Sequence, residues 1–219
     1  MSKPTIGVIL AGCGHLDGSE IHEAVLTLLA IDQAGAEAVC MAPDADQAHV
    51  VDHLTGKETK ETRNVLVESA RIARGKIRDI ASVGAKELDA LVLPGGFGVA
   101  KNLSSFAFDG IDMKVHPEVE RLVGEAHERG LPIGAICIAP TVIAKLIPGA
   151  TLTIGSDVAT ARALEGMGAS HAECPVNQAV VDREKRIVTT PAYMLGPWTA
   201  SVYEGVRRCV DEVVGMIGK

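Results

Sequence analysis

Cys137 stands where an apolar run meets a helix start, in Pro132-Ile133-Gly134-Ala135-Ile136-Cys137-Ile138-Ala139-Pro140. The pattern reads as a buried strand, a sharp bend at the cysteine and the opening of a helix. Ala135 and Ala139 flank the sulfur-bearing residue two positions away on either side. A nucleophile elbow needs small residues there, because its strained turn brings neighbouring backbone very close. The N–H groups of the following helix start point at the sulfur and favour thiolate over thiol. The same spacing also describes a structural cysteine packed as a small core residue. A nucleophile needs partners, and the loops after other apolar runs are where they belong.

The first such loop is Ala11-Gly12-Cys13-Gly14-His15-Leu16-Asp17-Gly18-Ser19, followed by Glu20-Ile21-His22-Glu23. Ser19 is the expected N-cap, and Ile21, Val25, Leu28 and Leu29 are the expected core side of the helix. Glu20, Glu23 and Thr27 recur at helical spacing on another side. A carboxylate in this first turn can reach the sulfur, since both elements end at one edge of the sheet. Acidic residues in a first turn also simply complement the helix dipole. Glu20 suits that plainer account better than Glu23, which has apolar neighbours. A later loop, Leu93-Pro94-Gly95-Gly96-Phe97-Gly98, pairs two glycines. It is either a tight turn or a place where backbone N–H groups approach a substrate oxygen, as an oxyanion hole requires.

These loops need strands to present them. Short Val-, Ile- and Leu-rich runs at 6–10, 38–42, 90–93, 132–136 and 152–154 alternate with helical patterns such as 20–34 and 117–129. Nearly continuous apolar runs suit strands covered on both faces, which predicts a doubly wound, mostly parallel α/β sheet. The ligand site then belongs past the carboxyl ends of the strands. Residues 44–85, with a helix expected over 62–74, read as an insertion beside the sheet within one domain of residues 1–219. Residues 180–182 and 186–189 read as a hairpin, and a last helix is expected from Pro197 to Gly215.

Composition narrows the function class. The formal net charge of −7 argues against a nucleic-acid surface, and no apolar run is long enough to span a bilayer. Five widely spaced cysteines with no C-x-x-C pair predict reduced thiols. Met1-Ser2-Lys3-Pro4 leads directly into the first strand without signal- or transit-peptide character. Together these features predict a cytoplasmic protein.

Taken in order, these segments resemble the PfpI-like superfamily of the class I glutamine-amidotransferase-like fold, and within it the ElbB-type glyoxalases. The resemblance rests on Gly7-Val-Ile-Leu-Ala-Gly-Cys-Gly14, Asp17-Gly-Ser-Glu-Ile-His-Glu-Ala-Val-Leu26, His53-Leu-Thr-Gly56, Glu61-Thr-Arg-Asn-Val-Leu66, the Gly95-Gly96 loop, Lys101-Asn-Leu-Ser104, Cys137-Ile-Ala-Pro140 and Val188-Thr-Thr-Pro-Ala-Tyr193. It implies a flavodoxin-like sheet with helices on both faces, Cys137 as nucleophile and Glu23 as its acidic partner. It implies cofactor-independent conversion of glyoxal, or a related small 2-oxoaldehyde, to the 2-hydroxy acid, and a homodimer. The N–H groups of Gly96 and Ile138 would hold the oxyanion, with Asn102 and His22 as secondary contacts. Neither a cofactor nor a metal is called for. Ile138 stands where protease relatives carry His, and no His lies near 152–155, where the Parkinsonism-associated deglycase relatives have one. Peptidase activity is therefore not expected, nor is glutaminase activity, since His171-Ala-Glu173 falls soon after the elbow whereas amidotransferases use a later His-x-Glu pair.

Rival readings use the same residues. A cysteine-based redox or carbonyl-stress sensor would oxidise Cys137, with Cys13 as its resolving partner. An accessory role in isoprenoid biosynthesis would need no turnover at all. Gly12-x-Gly14 is reminiscent of a nucleotide loop, but Gly18 falls one position too late. His15, Asp17, His22 and Glu23 match no standard metal spacing.

Overall fold

The computed structural model describes residues 3–196 and 198–218; the Met1-Ser2 lead-in and the expected helix start at Pro197 lie outside them. In chain order the strands and helices are β1 (Thr5–Ile9), α1 (Ile21–Gln33), β2 (Glu37–Ala42), β3 (Val51–Asp52), β4 (Lys57–Glu58), α2 (Val65–Ile72), β5 (Ile77–Asp79), β6 (Ala90–Leu93), α3 (Phe97–Lys101) and α4 (Phe106–Asp109). Then follow α5 (Pro117–Glu128), β7 (Ile133–Ile136), α6 (Pro140–Leu146), β8 (Thr151–Leu152), α7 (Val158–Gly166), β9 (Ser170–His171), β10 (Val180–Asp182), β11 (Ile187–Thr190) and α8 (Thr199–Met216).

Seven strands form the main sheet in the order β10-β11-β7-β6-β1-β2-β5. All neighbours run parallel except the β10–β11 hairpin, where Val181 faces Val188. Successive residues of one strand enter opposite cores, which is why the runs are apolar throughout. Ile9, Leu91, Leu93 and Ile133 pack on the α5 and α6 side. Val8, Leu10, Ala90 and Val92 pack against α1 and α8. The chain leaves β1 toward β2 on one side and β6 toward β7 on the other, so the order reverses between β1 and β6. That reversal opens a crevice at their carboxyl ends.

Two expectations change. The run at 152–154 does not join the main sheet; β8 pairs with β9 instead, Leu152 opposite His171. The position beside β7 is filled by β11, whose four residues are all buried. Residues 44–85 are also not an insertion throughout. Only the β3–β4 hairpin region stands aside, whereas β5 extends the main sheet by pairing with β2, Cys40 opposite Ile77.

Candidate active site

β7 delivers Cys137. Its backbone N–H continues the sheet ladder to the Thr190 carbonyl at 2.9 Å, and the next residue begins the turn into α6. The φ of Cys137 is 62°, a left-handed conformation that is rare and strained for a residue with a Cβ. Ala135 and Ala139 are fully buried against the bend. Cys137 is 8% exposed and lines a cavity of about 400 Å³.

Glu23 reaches the same point from α1. Of the expected core side of this helix only Leu28 packs against the core. Ile21, Val25 and Leu29 are 42%, 47% and 41% exposed, while Glu23, Ala24, Thr27, Ala30 and Ile31 face inward. Small Ala24 and Ala30 let α1 lie close to the sheet, and this rotation carries Glu23 to the elbow. Glu20, not Ser19, caps the helix by accepting the Glu23 N–H at 2.7 Å. The Ser19 hydroxyl is buried and accepts the Ala11 N–H at 2.8 Å.

The Glu23 carboxyl has no exposed surface. Oε2 accepts the Gly95 N–H at 3.0 Å, and Oε1 accepts the Tyr193 N–H at 3.1 Å. Its Oε2 lies beside the Cys137 side chain, close enough that a Cβ at Gly95 would meet both. Burial pushes its pKa up to about 8, against the pull of the two N–H donors. Burial, and then the Glu23 charge, also raise the Cys137 thiol well above its ordinary value. The N–H groups of Gly96 and Ile138 pull the other way, without prevailing. Burial therefore opposes the thiolate that the helix start favours. Desolvation outweighs a few backbone dipoles.

The other expected contacts disperse. Asn102 is committed to bracing loops, donating to the Ala11 and Asp17 carbonyls at 2.9 and 2.8 Å and accepting from Ala48 N–H at 2.9 Å. It is thereby spent as a substrate contact. His22 is exposed, with Nδ1 2.8 Å from the Tyr193 hydroxyl. Cys13 is half-buried with Glu68, Arg71, Asp17 and Arg63 as its charged neighbours, and it is not part of the cavity wall. Asp17 anchors the β3 hairpin through Val51 N–H at 2.7 Å. Among the described residues no group of three or more His, Cys, Asp or Glu side chains gathers to hold a metal. No described helix is long and apolar enough to cross a membrane.

Tyr193 was missed by the sequence reading, as were Phe106 and Asp157 on the cavity wall. Had β11 been read as a member of the parallel sheet, its trailing loop, Pro191-Ala192-Tyr193, would have been searched with the others.

A profile of the DJ-1/PfpI family matches residues 15–194, which span the crevice loops, the elbow and Tyr193. The chain belongs to the DJ-1/PfpI family. It is 45% identical over 224 residues to the human glutamine amidotransferase-like class 1 domain-containing protein 3, mitochondrial, covering 98% of this chain and 84% of that protein. The crystal structure of an isoprenoid biosynthesis protein with amidotransferase-like domain from Ehrlichia chaffeensis superposes with a TM-score of 0.91 at 42% identity, over 97% of this chain and all of that one (100%). Glyoxalase III from Candida albicans shares the fold, with a TM-score of 0.64 at 14% identity over 98% and 97% of the two chains. This DJ-1/PfpI member thus has the ElbB-type, flavodoxin-like architecture expected for it. The cytoplasmic assignment is overturned, because the human relative is named as mitochondrial. Unpaired thiols report reducing surroundings, not a compartment, and composition could not tell the two apart.

Proposed function

We propose that the chain is a cofactor-independent glyoxalase, converting glyoxal or a related 2-oxoaldehyde to the 2-hydroxy acid. One observation carries this reading: a wholly buried carboxyl, held on both oxygens by backbone, stands beside a cysteine at a strained elbow. Cys137 Sγ attacks the aldehyde carbon while Glu23 takes the thiol proton, giving a hemithioacetal. Glu23 then moves the proton of that carbon to the adjacent carbonyl carbon through an enediol. The first carbon is oxidised by two electrons and the second reduced by two, leaving a thioester. Water cleaves it, releasing the hydroxy acid and the thiol. The N–H groups of Gly96 and Ile138 stabilise sulfur or oxygen as charge develops on either.

Cys137→Ser is expected to lower glycolate formation from glyoxal by at least about a thousandfold. Glu23→Gln should lower it by at least about a hundredfold, the range of general acid–base catalysis. Unchanged turnover in Cys137→Ser removes the proposal. The sensor alternative is weaker here, since a thiol with a raised pKa offers little thiolate to oxidants and Cys13 lies off the cavity. The mitochondrial name of the human relative supports action in that compartment. The exposed stripe Ile21, Val25 and Leu29 supports assembly as a homodimer through α1.

A further inference from the structure

The cavity over Cys137 is far larger than glyoxal needs. Its volume of about 400 Å³ falls within the range that holds drug-sized ligands, roughly 300–1,000 Å³. Phe97, Ala100, Phe106, Ala107 and Met194 give its wall mostly apolar surface, beside the polar His15, Thr160 and Tyr193. The charged side chains that line it, Glu20 and Asp157, are both acidic. Asp157 caps α7 through Thr160 N–H at 2.8 Å. Lys101 does not line the cavity; its Nζ is held on the Leu16 carbonyl at 2.9 Å and lies 5.7 Å from the centre of the Phe97 ring. Among the described residues no Lys or Arg lines the cavity to receive a carboxylate or a phosphate. Its wall rewards burial of hydrocarbon and its charges repel anions.

We infer that the preferred substrates are 2-oxoaldehydes carrying an uncharged apolar arm, aryl or branched alkyl, on the keto carbon, and that anionic oxoaldehydes are excluded. This rests on the Cys137–Glu23 reading of the reaction. The arm does not alter the balance of the steps. The sulfur bonds to the aldehyde carbon, the proton on that carbon passes to the arm-bearing carbon, and one water is consumed on release of the thiol. With an arm present the arm-bearing carbon becomes a stereocentre. A single proton carrier, Glu23, serves it from one face, so one enantiomer of the hydroxy acid must dominate.

The test compares kcat/KM for glyoxal, phenylglyoxal and 4-carboxyphenylglyoxal, with the Cys137→Ser rate subtracted. Phenylglyoxal is expected to exceed glyoxal by at least about tenfold, as burial of one ring allows. The carboxylated analogue should fall at least about tenfold below phenylglyoxal, and the mandelate formed should be predominantly one enantiomer. Ala107→Trp, which fills the apolar end, is expected to lower the phenylglyoxal-to-glyoxal ratio at least about tenfold. A second measurement separates the arm from the reaction: acetophenone, but not benzoate, should slow alkylation of Cys137 by iodoacetamide, read by intact mass. Turnover of glyoxal with no preference for the phenyl arm, or an unmoved ratio in Ala107→Trp, overturns the inference. Selective protection by acetophenone without turnover of any aldehyde overturns the glyoxalase reading and leaves the apolar-arm site standing. Neither turnover nor protection overturns both.

Discussion

Glu23 is a carboxyl group pulled toward two protonation states at once. Removal from water favours the neutral acid, whereas the Gly95 and Tyr193 N–H groups favour the carboxylate, and burial wins with a pKa of about 8. Burial raises its neighbour sulfur as well. Two interacting groups titrate as a unit, and the form able to react has lost the first of the two protons. The sign follows: an acid with a raised pKa supplies its basic form only as pH climbs through that value. The kcat/KM for the aldehyde, corrected for the Cys137→Ser background, should rise about tenfold per pH unit below a midpoint near 8 and then level. Glu23→Gln should lack this limb. A flat wild-type profile between about pH 6 and 9 would show that Glu23 is not the proton acceptor.

At the scale of elements, three loops must converge closely, and this limits what can stand between them. Gly95 is the tightest point. A Cβ there would lie 2.4 Å from the Cys137 Cβ and 2.5 Å from Glu23 Oε2, distances that no packing accommodates. Gly95→Ala must therefore push the β6 loop away from both groups and misalign the N–H that holds Glu23. The expected cost is about 1–3 kcal/mol of stability, typical of overpacking. The expected loss of turnover is at least about a hundredfold, because small displacements of reacting groups are that expensive. Denaturant titration and single-turnover assays measure the two separately, and an intact kcat in Gly95→Ala would sink the geometric account. The same close approach explains α1: its inner side carries Ala24 and Ala30, while bulkier Ile21, Val25 and Leu29 face outward.

For the molecule as a whole, the strand order places the β1 and β6 loops at the reversal point, with the β7 elbow next door and the β11 loop beyond it. Cys137, Glu23, Gly95 and Tyr193 come from four such segments, so the site exists only once the sheet has assembled. The outward stripe on α1 lies on the helix that carries Glu23, and assembly through it would steady that helix. Val25→Asp is expected to convert the proposed homodimer to a monomer in sedimentation velocity at micromolar concentration. Its far-UV circular dichroism should stay unchanged, since the substituted position is already 47% exposed in the folded chain. A wild-type protein that sediments as a monomer would refute the assembly.

By itself the sequence determined features whose causes are local. Apolar runs at β1, β6 and β7 are continuous because each strand is covered on both faces, and that pattern needs no knowledge of partners. The elbow at Cys137 was legible because its small neighbours lie only two residues away, and Gly95-Gly96 because a close backbone approach demands glycine. Tertiary structure alone decided the rest. Helical periodicity marks two sides of α1 but does not say which faces the sheet, and the apolar stripe proved to be the outer one. Whether β8 or β11 lies beside β7 depends on competition between segments far apart in the chain. The Tyr193 N–H that holds Glu23 comes from 170 positions away, and the protonation of the pair reflects burial that exists only in the folded chain.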